Sequence, residues 1–509
     1  MAGLSLRTVI GWRSHAVVIG AAVAMGQFSD LFLFGMRVPL LPFLMRDHLN
    51  VPEAEVQDRV AVLLASFSIS SFLCAVPAGL IADIPNLRSP LYLAGLLAMT
   101  AGTIVFYTSH EYAVLIITGA LNGFSIAVLY AAGWPMIVDA VAPQNIGKAM
   151  GTIRSLVSVG QLCGPPVGGL IFSRWGFQGI LNVSLGVLAI DFILRLFMVD
   201  TPRPPGAMPA VMPESGSTNK TAGGIEEGTV ASKDIGDANG NGHEPTETDR
   251  LLPESSSPSR PSSSAVAEQQ PTSDGDNATL TGEPGIGTEG ETKKKPFILP
   301  ILFCLSDPQL LVAIWLSLVQ FIIFGAYDAT LTIQAVTEFN LTAEQVGAVY
   351  LALSLPSLVL GPMAGWAVDR FGPRRVAITG YAVYGPALAL MVLPSSGLLS
   401  GVAAFSVFCV SLLVQGCCVP LAQTPSMIKS MQRVNSAVRH NPARFGSRSA
   451  FGQTFGLNTL IASLGLMIGN YTGAALREAA GYWVMNSVLA VMCASGSLLA
   501  WTVFDSGES

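Results

Sequence analysis

AGWAVDRFGPRR, residues 364–375, is the second copy of a pattern that first occurs in AGLIADIPNLRS, residues 78–89. In both copies a glycine precedes an aspartate by four positions, and the pairs are Gly79 with Asp83 and Gly365 with Asp369. Each copy closes a long apolar segment. The repetition indicates a duplicated chain, and two related halves made of apolar helices are typical of membrane transporters.

A second repeat lies further along each half. GQLCGPPVGG, residues 160–169, has a weaker counterpart in GLMIGNYTGA, residues 465–474. Glycine recurs at every fourth position in both, at Gly160, Gly164 and Gly168 and again at Gly465, Gly469 and Gly473. The duplication therefore extends beyond one motif.

The composition places the chain in a membrane. Of its 509 residues, 51% are hydrophobic and 12% are charged, which is far from the average of soluble domains. The net charge of −6 does not indicate nucleic acid as a partner. The seven cysteines lack metal-ligand spacing, so we interpret them as small buried hydrophobes and expect no metal and no cofactor.

We predict an all-α membrane protein with twelve transmembrane helices in two pseudo-symmetric six-helix bundles, since a span needs about 20 apolar residues. The predicted spans are residues 16–45, 58–82, 90–108, 111–139, 147–173, 178–199, 308–337, 343–367, 375–393, 399–428, 448–476 and 480–504. With a cytosolic N-terminus the outer loops receive few basic residues, namely Arg46, Arg59, Arg174 and Arg477. This asymmetry predicts that both termini are cytosolic.

A change of composition divides the chain into three parts. Residues 1–200 and 297–509 form the two predicted bundles, and residues 201–296 are rich in Pro, Ser, Thr and Gly, which predicts a disordered cytosolic linker. Within the linker, ETDRLL supplies Glu247, Leu251 and Leu252. That pattern is similar to acidic dileucine signals read by sorting adaptors of endosomes and vacuoles, although chance explains it equally well.

The two repeated motifs resemble those of the major facilitator superfamily. The Gly-Asp motif resembles the loop between the second and third helices of each half, and GQLCGPPVGG resembles the fifth-helix motif of antiporters. Asp30 in the first helix and GAYDATLTI, residues 325–333, resemble the vesicular amine transporter and multidrug antiporter branch. Phe67 departs from that branch, which has a basic residue there, and Gly119 stands where proton-coupled antiporters have Arg.

The resemblance implies roles for both motifs. It implies a gating latch held by ion pairs, made of Gly79, Asp83, Gly365, Asp369, Arg370, Arg374 and Arg375. A tight turn is the alternative. It also implies a kinked fifth helix that favours export, made of Gly160, Gly164, Pro165, Gly168 and Gly169. A packing groove without directional meaning is the alternative.

Charged residues within spans are candidate functional residues, because each costs at least about 2.5 kcal/mol. We select Asp30, Arg37 and Asp328 for the substrate or proton pathway. Either aspartate could carry a proton or balance a cationic substrate, with Arg37 pairing in one state only; a fixed salt bridge or an anion site at Arg37 is the alternative. We interpret Asp139 and Asp191 as structural, the latter in an ion pair with Arg195.

Polar and aromatic residues at similar depth complete the predicted pathway. They are Asn122, Tyr130, Trp134, Gln161 and Asn458. Tyr130 and Trp134 would form an aromatic wall suited to planar or cationic ligands, and a packing stripe explains them nearly as well.

Together these features predict a secondary active transporter rather than an enzyme. The expected mode is proton-coupled export, or loading of a vacuole or vesicle, by a monomer with a small-molecule substrate, protons and the lipid bilayer as partners. A sorting adaptor is a further possible partner of the linker. The alternatives are a nutrient or sugar importer and a membrane sensor that does not transport.

Overall fold

A computed structural model describes the backbone of residues 16–82, 84–141, 146–198, 306–395, 399–440 and 451–504. Within these ranges the chain is helical apart from short connections. Asp83 and the predicted linker, with Glu247, Leu251 and Leu252, lie outside the described residues.

The first half contains six helices. They are α1 (Ala16–Arg37), α2 (Glu53–Ala82), α3 (Pro85–Thr108), α4 (Tyr112–Ala140) and a continuous segment, Ile146–Phe197, that holds α5 and α6. Beyond α1 the chain stays helical to His48 in three short pieces, a 3₁₀-helix (Val38–Leu40), an α-helical turn (Leu41–Phe43) and a π-helix (Leu44–His48). Pro39 and Pro42 lie at the starts of these short turns, where the missing proline amide is tolerated best.

The second half repeats this order. It comprises α7 (Pro308–Phe339), a segment Ala343–Leu390 that holds α8 and α9, α10 (Gly401–His440), α11 (Phe451–Ala480) and α12 (Tyr482–Val503). A short helix, Val392–Ser395, follows α9. Helix α10 ends at His440, whereas the span predicted from the sequence ends at residue 428.

Two glycines divide the long segments into separate membrane crossings. The segment Ile146–Phe197 has 52 residues, and one straight helix of that length would measure about 78 Å, more than twice the thickness of a bilayer core. Gly176 breaks it with φ 60°, and Gly372 breaks Ala343–Leu390 with φ 82°. Glycine accepts these left-handed angles without strain. The resulting twelve helices confirm the predicted fold.

Helices of both halves pack into one compact unit. In the first half α1 packs on the α5 segment and α2 on α4; in the second half α7 packs on α11 and the α8 segment on α10. Two seams join the halves, one between α2 and α11 and the other between the α5 and α8 segments. We call the side where α2 ends and α3 begins the latch face, and the side near Pro52 and Asn340 the opposite face.

Glycine contacts show the duplication in three dimensions. A Cβ atom built on Gly35 of α1 would lie 3.1 Å from Pro165 and 3.4 Å from Gly164 of α5. On α7, the same test at Gly325 places the atom 2.5 Å from the Leu466 oxygen of α11. Both glycines therefore mark the point of closest approach between the first and fifth helices of a half.

The fifth-helix motif acts on two neighbours. Cβ atoms on Gly160, Gly164 and Gly168 would each lie 2.8 Å from a backbone oxygen of α1, so these three positions admit α1. Gly169 turns to the other half, because its Cβ atom would lie 2.6 Å from the Ala343 oxygen of α8. The geometry agrees with a packing groove, and the implied link with export stays a prediction.

Candidate functional site

Asp30 lies inside the first half rather than between the halves. Helix α1 presents its Gly35 side to α5, and Asp30 lies on the other side of the helix, one turn after Gly26. A Cβ atom on Gly26 would lie 3.4 Å from Asp191 Oδ2 of α6 and would overlap the Tyr92 hydroxyl of α3. The face of α1 that carries Asp30 is thus turned to α3 and α6.

These residues form a buried polar group, which we call the first-half cluster: Gln27, Asp30, Tyr92 and Asp191. Asp30 is 4% exposed, Gln27 and Asp191 are 0% exposed, and Tyr92 lies within electrostatic range of both carboxylates. Among the described residues, no partner donates to Asp30 Oδ2, to either Asp191 oxygen or to the Gln27 amide oxygen. Unpaired polar groups in a membrane interior are costly, which makes the cluster a candidate for function.

Asp191 corrects a prediction. The sequence suggests a local ion pair with Arg195, but the ion pairs found among the described residues do not include it. Arg195 donates instead to Ser89 and to the Met198 sulfur, and its guanidinium lies over the Tyr92 ring at 5.1 Å. The arginine is held at the latch face by α3, so it makes no hydrogen bond to Asp191, although it stays within electrostatic range of that carboxylate.

Arg37 does not pair with a carboxylate within the described part of the chain. Its Nε donates to the Leu33 carbonyl at 3.1 Å, and its guanidinium lies 5.7 Å from the centre of the Phe106 ring. Asp30 is seven residues earlier, which separates the two by about 10.5 Å along the helix axis. The two side chains are nevertheless within electrostatic range of each other, and the exchange of partners by Arg37 stays a prediction.

A stripe of partly exposed apolar side chains follows α1 and α7, and we call it the inter-half stripe. It comprises Leu31 and Phe34 on α1 and Phe321 and Phe324 on α7. The next turn of α1 in this direction, Val38–Leu40, contacts α7, so the stripe runs towards the boundary with the other half. Within their own halves, Phe34 packs on Phe67 of α2 and Phe321 lies beside Gly465 of α11.

Asp328 belongs to this stripe, one turn beyond Phe324, and is partly exposed. When Gly35 is aligned with Gly325, Leu31 matches Phe321, Phe34 matches Phe324, and Asp328 matches Val38. Asp30 matches Gln320 instead. The two aspartates therefore occupy different positions in their halves, which the sequence comparison of α1 with α7 does not resolve.

The predicted uncharged residues differ in burial. Asn122 is buried and donates to the Thr118 carbonyl of its own helix at 2.8 Å. Trp134 is buried, Tyr130 and Asn458 are partly buried, and Gln161 is exposed. The aromatic wall and the remaining pathway residues stay predictions.

The motif at the latch face differs from its expected arrangement. Asp369, Arg370 and Arg375 are exposed, and none of the ion pairs in the described ranges includes them. Arg374 donates to the Trp501 carbonyl at 2.6 Å. A Cβ atom on Gly365 would meet nothing within 4 Å, so this glycine does not mark a close helix contact here.

The first half, whose motif is shorter, has the ion pair. Arg88 of α3 pairs with Asp139 of α4, and both side chains are largely buried. Gly79 lies against α11, since a Cβ atom on Gly456 would lie 3.6 Å from its Cα. In the earlier copy, Arg88 thus joins α3 to α4 and Gly79 lies close to α11. In the later copy, Gly365 has no such close neighbour.

A polar network missed by the sequence analysis closes the opposite face. Arg477 of α11 donates to Gln57 of α2 at 3.0 Å and to Gln334 and Thr337 of α7 at 3.2 Å each. Gln57 also donates to the Ala329 carbonyl of α7 at 3.2 Å. The only sequence signal was a basic residue in a sparsely charged outer loop.

Comparison with known proteins agrees with this architecture. The family model described as "Major Facilitator Superfamily" matches residues 23–438 and 316–508 of this chain. The chain belongs to the major facilitator superfamily. The resemblance stated from the motifs is thereby confirmed, and the protein is a multi-pass membrane transporter.

Two similar transporters match nearly the whole chain, and a third matches part of it. The MFS-type transporter ppzB of Metarhizium rileyi is 33% identical over 94% of this chain and 93% of its own. An uncharacterized MFS-type transporter of Schizosaccharomyces pombe is 26% identical over 97% and 96%. A probable vesicular acetylcholine transporter of Danio rerio is 27% identical, over 35% of this chain and 36% of its own.

A solved structure has the same fold. The crystal structure of the human organic anion transporter MFSD10 superimposes with a TM-score of 0.58 at 14% identity, and it covers 95% of this chain and 99% of that one. At this identity the likeness concerns the fold alone.

Proposed function

We propose that this superfamily member is a proton-coupled secondary active transporter that exports a small organic solute, or loads it into a vacuole or vesicle, by alternating access. The observation that carries the proposal is the separation of two membrane-embedded carboxylates. Asp328 lies on the inter-half stripe, and Asp30 lies in the first-half cluster. One position suits a substrate and the other suits a proton.

The inter-half stripe favours a hydrophobic cation as substrate. Its aromatic and aliphatic side chains would cover an apolar body, and Phe34 packs against Phe67 of α2 with ring centres 5.2 Å apart. Aromatic faces attract cations, and the Asp328 carboxylate would supply the opposite charge. Such a surface offers few amide groups to a sugar.

Asp30 is suited to hold a proton. A carboxyl group in a dry interior strongly prefers its neutral form, and access to water in another conformation would release the proton. Asp30 is on α1, the helix that also carries Leu31 and Phe34 of the stripe. Protonation of Asp30 would therefore change the position of side chains that contact the substrate.

The names of relatives are in keeping with this proposal. Partial matches include the vesicular acetylcholine transporter of Tetronarce californica, 33% identical over 30% of this chain, and the multidrug resistance protein Stp of Mycobacterium tuberculosis, 27% identical over 28%. These names indicate substrates of those proteins, and only the shared fold applies directly to this chain.

Flux into proteoliposomes tests the proposal. With an acidic interior, we expect the wild-type chain to accumulate the hydrophobic cation ethidium. Asp30→Asn should abolish accumulation against the gradient while ethidium exchange at equal pH continues, and Asp328→Asn should raise the half-saturating ethidium concentration at least tenfold. The matched control is Asp58→Asn, which changes an exposed aspartate of α2.

Three results would contradict the proposal. Undiminished accumulation by Asp30→Asn would remove Asp30 from coupling. Uptake of glucose without any flux of ethidium would favour the importer, and flux of neither by a folded protein would favour the sensor.

We further propose that both termini and the 201–296 linker face the cytosol, with the motif at Glu247, Leu251 and Leu252 directing the protein to a vacuolar or endosomal membrane. The distribution of basic residues supports this orientation. Replacing Leu251 and Leu252 with Ala should move a fluorescently tagged protein to the cell surface, and Thr246→Ala in the same linker serves as control. An unaltered distribution would dismiss the signal.

A further inference from the structure

We infer that Asp191 of α6 is a second proton-binding residue, which works together with Asp30 across the first-half cluster. The inference rests on the proton coupling proposed above and names a further site for it. It rests on the place of Asp191 in the packing of α1, α3 and α6.

Asp191 is enclosed without a partner. Its side chain is 0% exposed, and neither carboxylate oxygen receives a hydrogen bond from the described residues. One of these oxygens would lie 3.4 Å from a Cβ atom on Gly26. Gly26 is one turn from Asp30 on the same face of α1, and residues so spaced have Cβ atoms about 5–6 Å apart. The two carboxylates therefore belong to one junction of α1, α3 and α6, and both lie within electrostatic range of Tyr92.

Tyr92 lies between α1 and α6 at this point. Its hydroxyl donates to the Ala22 carbonyl of α1 at 3.5 Å, the outer limit of a hydrogen bond. A Cβ atom on Gly26 would overlap that hydroxyl, so the glycine makes room for it. The arrangement places an adjustable hydroxyl beside Asp191, near Asp30.

The second half shows that the packing needs no carboxylate. There Tyr381 of α9 donates to the Leu316 carbonyl of α7 at 2.6 Å, as Tyr92 does to α1. Leu316 corresponds to Gly26 when Gly35 is aligned with Gly325. The sixth helix of that half supplies Gly496, whose Cβ atom would lie 3.0 Å from Leu316 and 3.3 Å from Tyr381.

The junction of the first, third and sixth helices is therefore filled by different residues in the two halves. In the second half a leucine and a glycine fill the junction of the first, third and sixth helices. In the first half the junction holds Gly26 and Asp191, although a buried carboxylate costs at least about 2.5 kcal/mol. A purely structural role for Asp191 does not account for that cost.

The charged and titratable groups around Asp191 leave it free to accept a proton. Tyr92 of α3 lies within electrostatic range of Asp191 and also of Asp30 on α1 and Tyr130 on α4. Arg195 on the same helix is within electrostatic range of Asp191, while its hydrogen bonds go to Ser89 and Met198. The carboxylate takes up one proton from water when the latch face opens and returns it to water, with no other reactant.

Infrared difference spectroscopy tests the inference on the purified full chain in lipid. The carbonyl stretch of a protonated carboxyl group is recorded as the pH is stepped from acidic to alkaline, in the wild type and in Asp191→Asn, Asp30→Asn and the double variant. The matched control is Asp58→Asn, because Asp58 is an exposed aspartate of α2 outside the first-half cluster.

We expect Asp191→Asn to lose a pH-dependent carboxyl band that Asp58→Asn retains, and the midpoint of the Asp30 band to shift because a second carboxylate near Tyr92 is gone. The double variant should lose both bands. Asp191→Glu should restore a band at a shifted frequency, and it replaces Asp191→Asn if that variant does not fold. A spectrum of Asp191→Asn identical to the wild type, or an Asp191→Glu protein without the band, would overturn the inference.

The measurement uses no substrate, which separates the inference from the proposed export. If the band is present while ethidium flux fails, Asp191 still binds a proton and the export proposal falls. If flux is proton-coupled and the band is missing, Asp30 works alone and the inference about Asp191 falls.

Discussion

Arg477 at the end of α11 donates from Nη1 to Oε1 of Gln57 near the start of α2, over 3.0 Å. The contact joins the two halves at the opposite face. On the other seam, a Cβ atom on Gly347 of α8 would lie 2.7 Å from the Pro165 oxygen of α5. Both seams are thus closed on this side, and a transporter that alternates must open them.

Breaking the Arg477 network should favour opening at the opposite face. Arg477→Gln removes three hydrogen bonds from a charged donor, and such bonds contribute about 1.5–3 kcal/mol each. We expect the ratio of open to closed protein to rise at least tenfold. Electron paramagnetic resonance distances between spin labels on Ala54 and Glu344, in a cysteine-depleted chain, measure this ratio.

Arg59→Gln is the control for that experiment, because Arg59 pairs with Glu55 of α2 and lies over the Tyr112 ring of α4, both in the first half. It should leave the label distances unchanged. An Arg477→Gln distribution that coincides with the wild type would show that the network does not hold the face closed.

Glycine positions give a second prediction. Gly164→Ala should lower thermal stability and yield, since its Cβ atom would lie 2.8 Å from the Phe32 oxygen and 3.0 Å from the Gly35 Cα. Overpacking of this kind costs about 1–3 kcal/mol. Gly361→Ala on α8 is the matched control, with nothing within 4 Å of the added atom. Equal melting temperatures for the two variants in detergent would contradict the contact.

The sequence predicted the helices well and their orientations poorly. Apolar length sets a membrane span directly, so the twelve helices and the duplication could be found without a structure. The repeated glycines of α5 also indicated a close neighbour. They did not identify Gly35 as the contact, and without it the direction of Asp30 around α1 was undetermined.

The same limit explains the other differences. Asp191 and Arg195 have the spacing of a helical ion pair, but Ser89 on another helix holds the arginine. Arg477 and Gln57 are 420 positions apart in the chain, and no local pattern links them. Side chains that act between helices depend on the packing of segments distant in sequence.

Ion pairing at the latch face gives a third prediction, which contrasts the two copies of the motif. Asp139→Asn should destabilise the protein by about 3 kcal/mol, because it leaves the largely buried Arg88 without its carboxylate. Asp369→Asn should change stability little, since Asp369 is exposed and outside the ion pairs of the described residues. The melting temperatures of the purified variants, monitored by size-exclusion chromatography after heating, compare their stabilities.

A large loss for Asp369→Asn would show that the later copy forms its ion pairs in solution. Glu55→Gln, which removes the exposed partner of Arg59, sets the scale for a surface pair at about 0–1 kcal/mol. Asp139→Asn should exceed it clearly.

The start of α7 gives a prediction that depends on pH. Asp307 caps this helix by accepting from the Gln309 amide at 2.9 Å, and it accepts from Arg433 Nε at 2.6 Å. Burial acts to raise the pKa of Asp307, but the hydrogen bonds from Arg433 and from the Gln309 amide outweigh it and hold the pKa below its usual value. The charged form is therefore the one that stabilises the fold.

Because the pKa of Asp307 is lower in the folded state, its contribution is complete above the unfolded value of about 3.9 and is lost as the pH falls through the folded value. Asp307→Asn keeps a capping side chain and removes the charge, so it should melt below the wild type at neutral pH. The difference should shrink under acidic conditions. Asp307→Ala, which also removes the cap, should keep a residual difference at every pH, and a gap for Asp307→Asn that stays constant with pH would exclude the Arg433 pair as its cause.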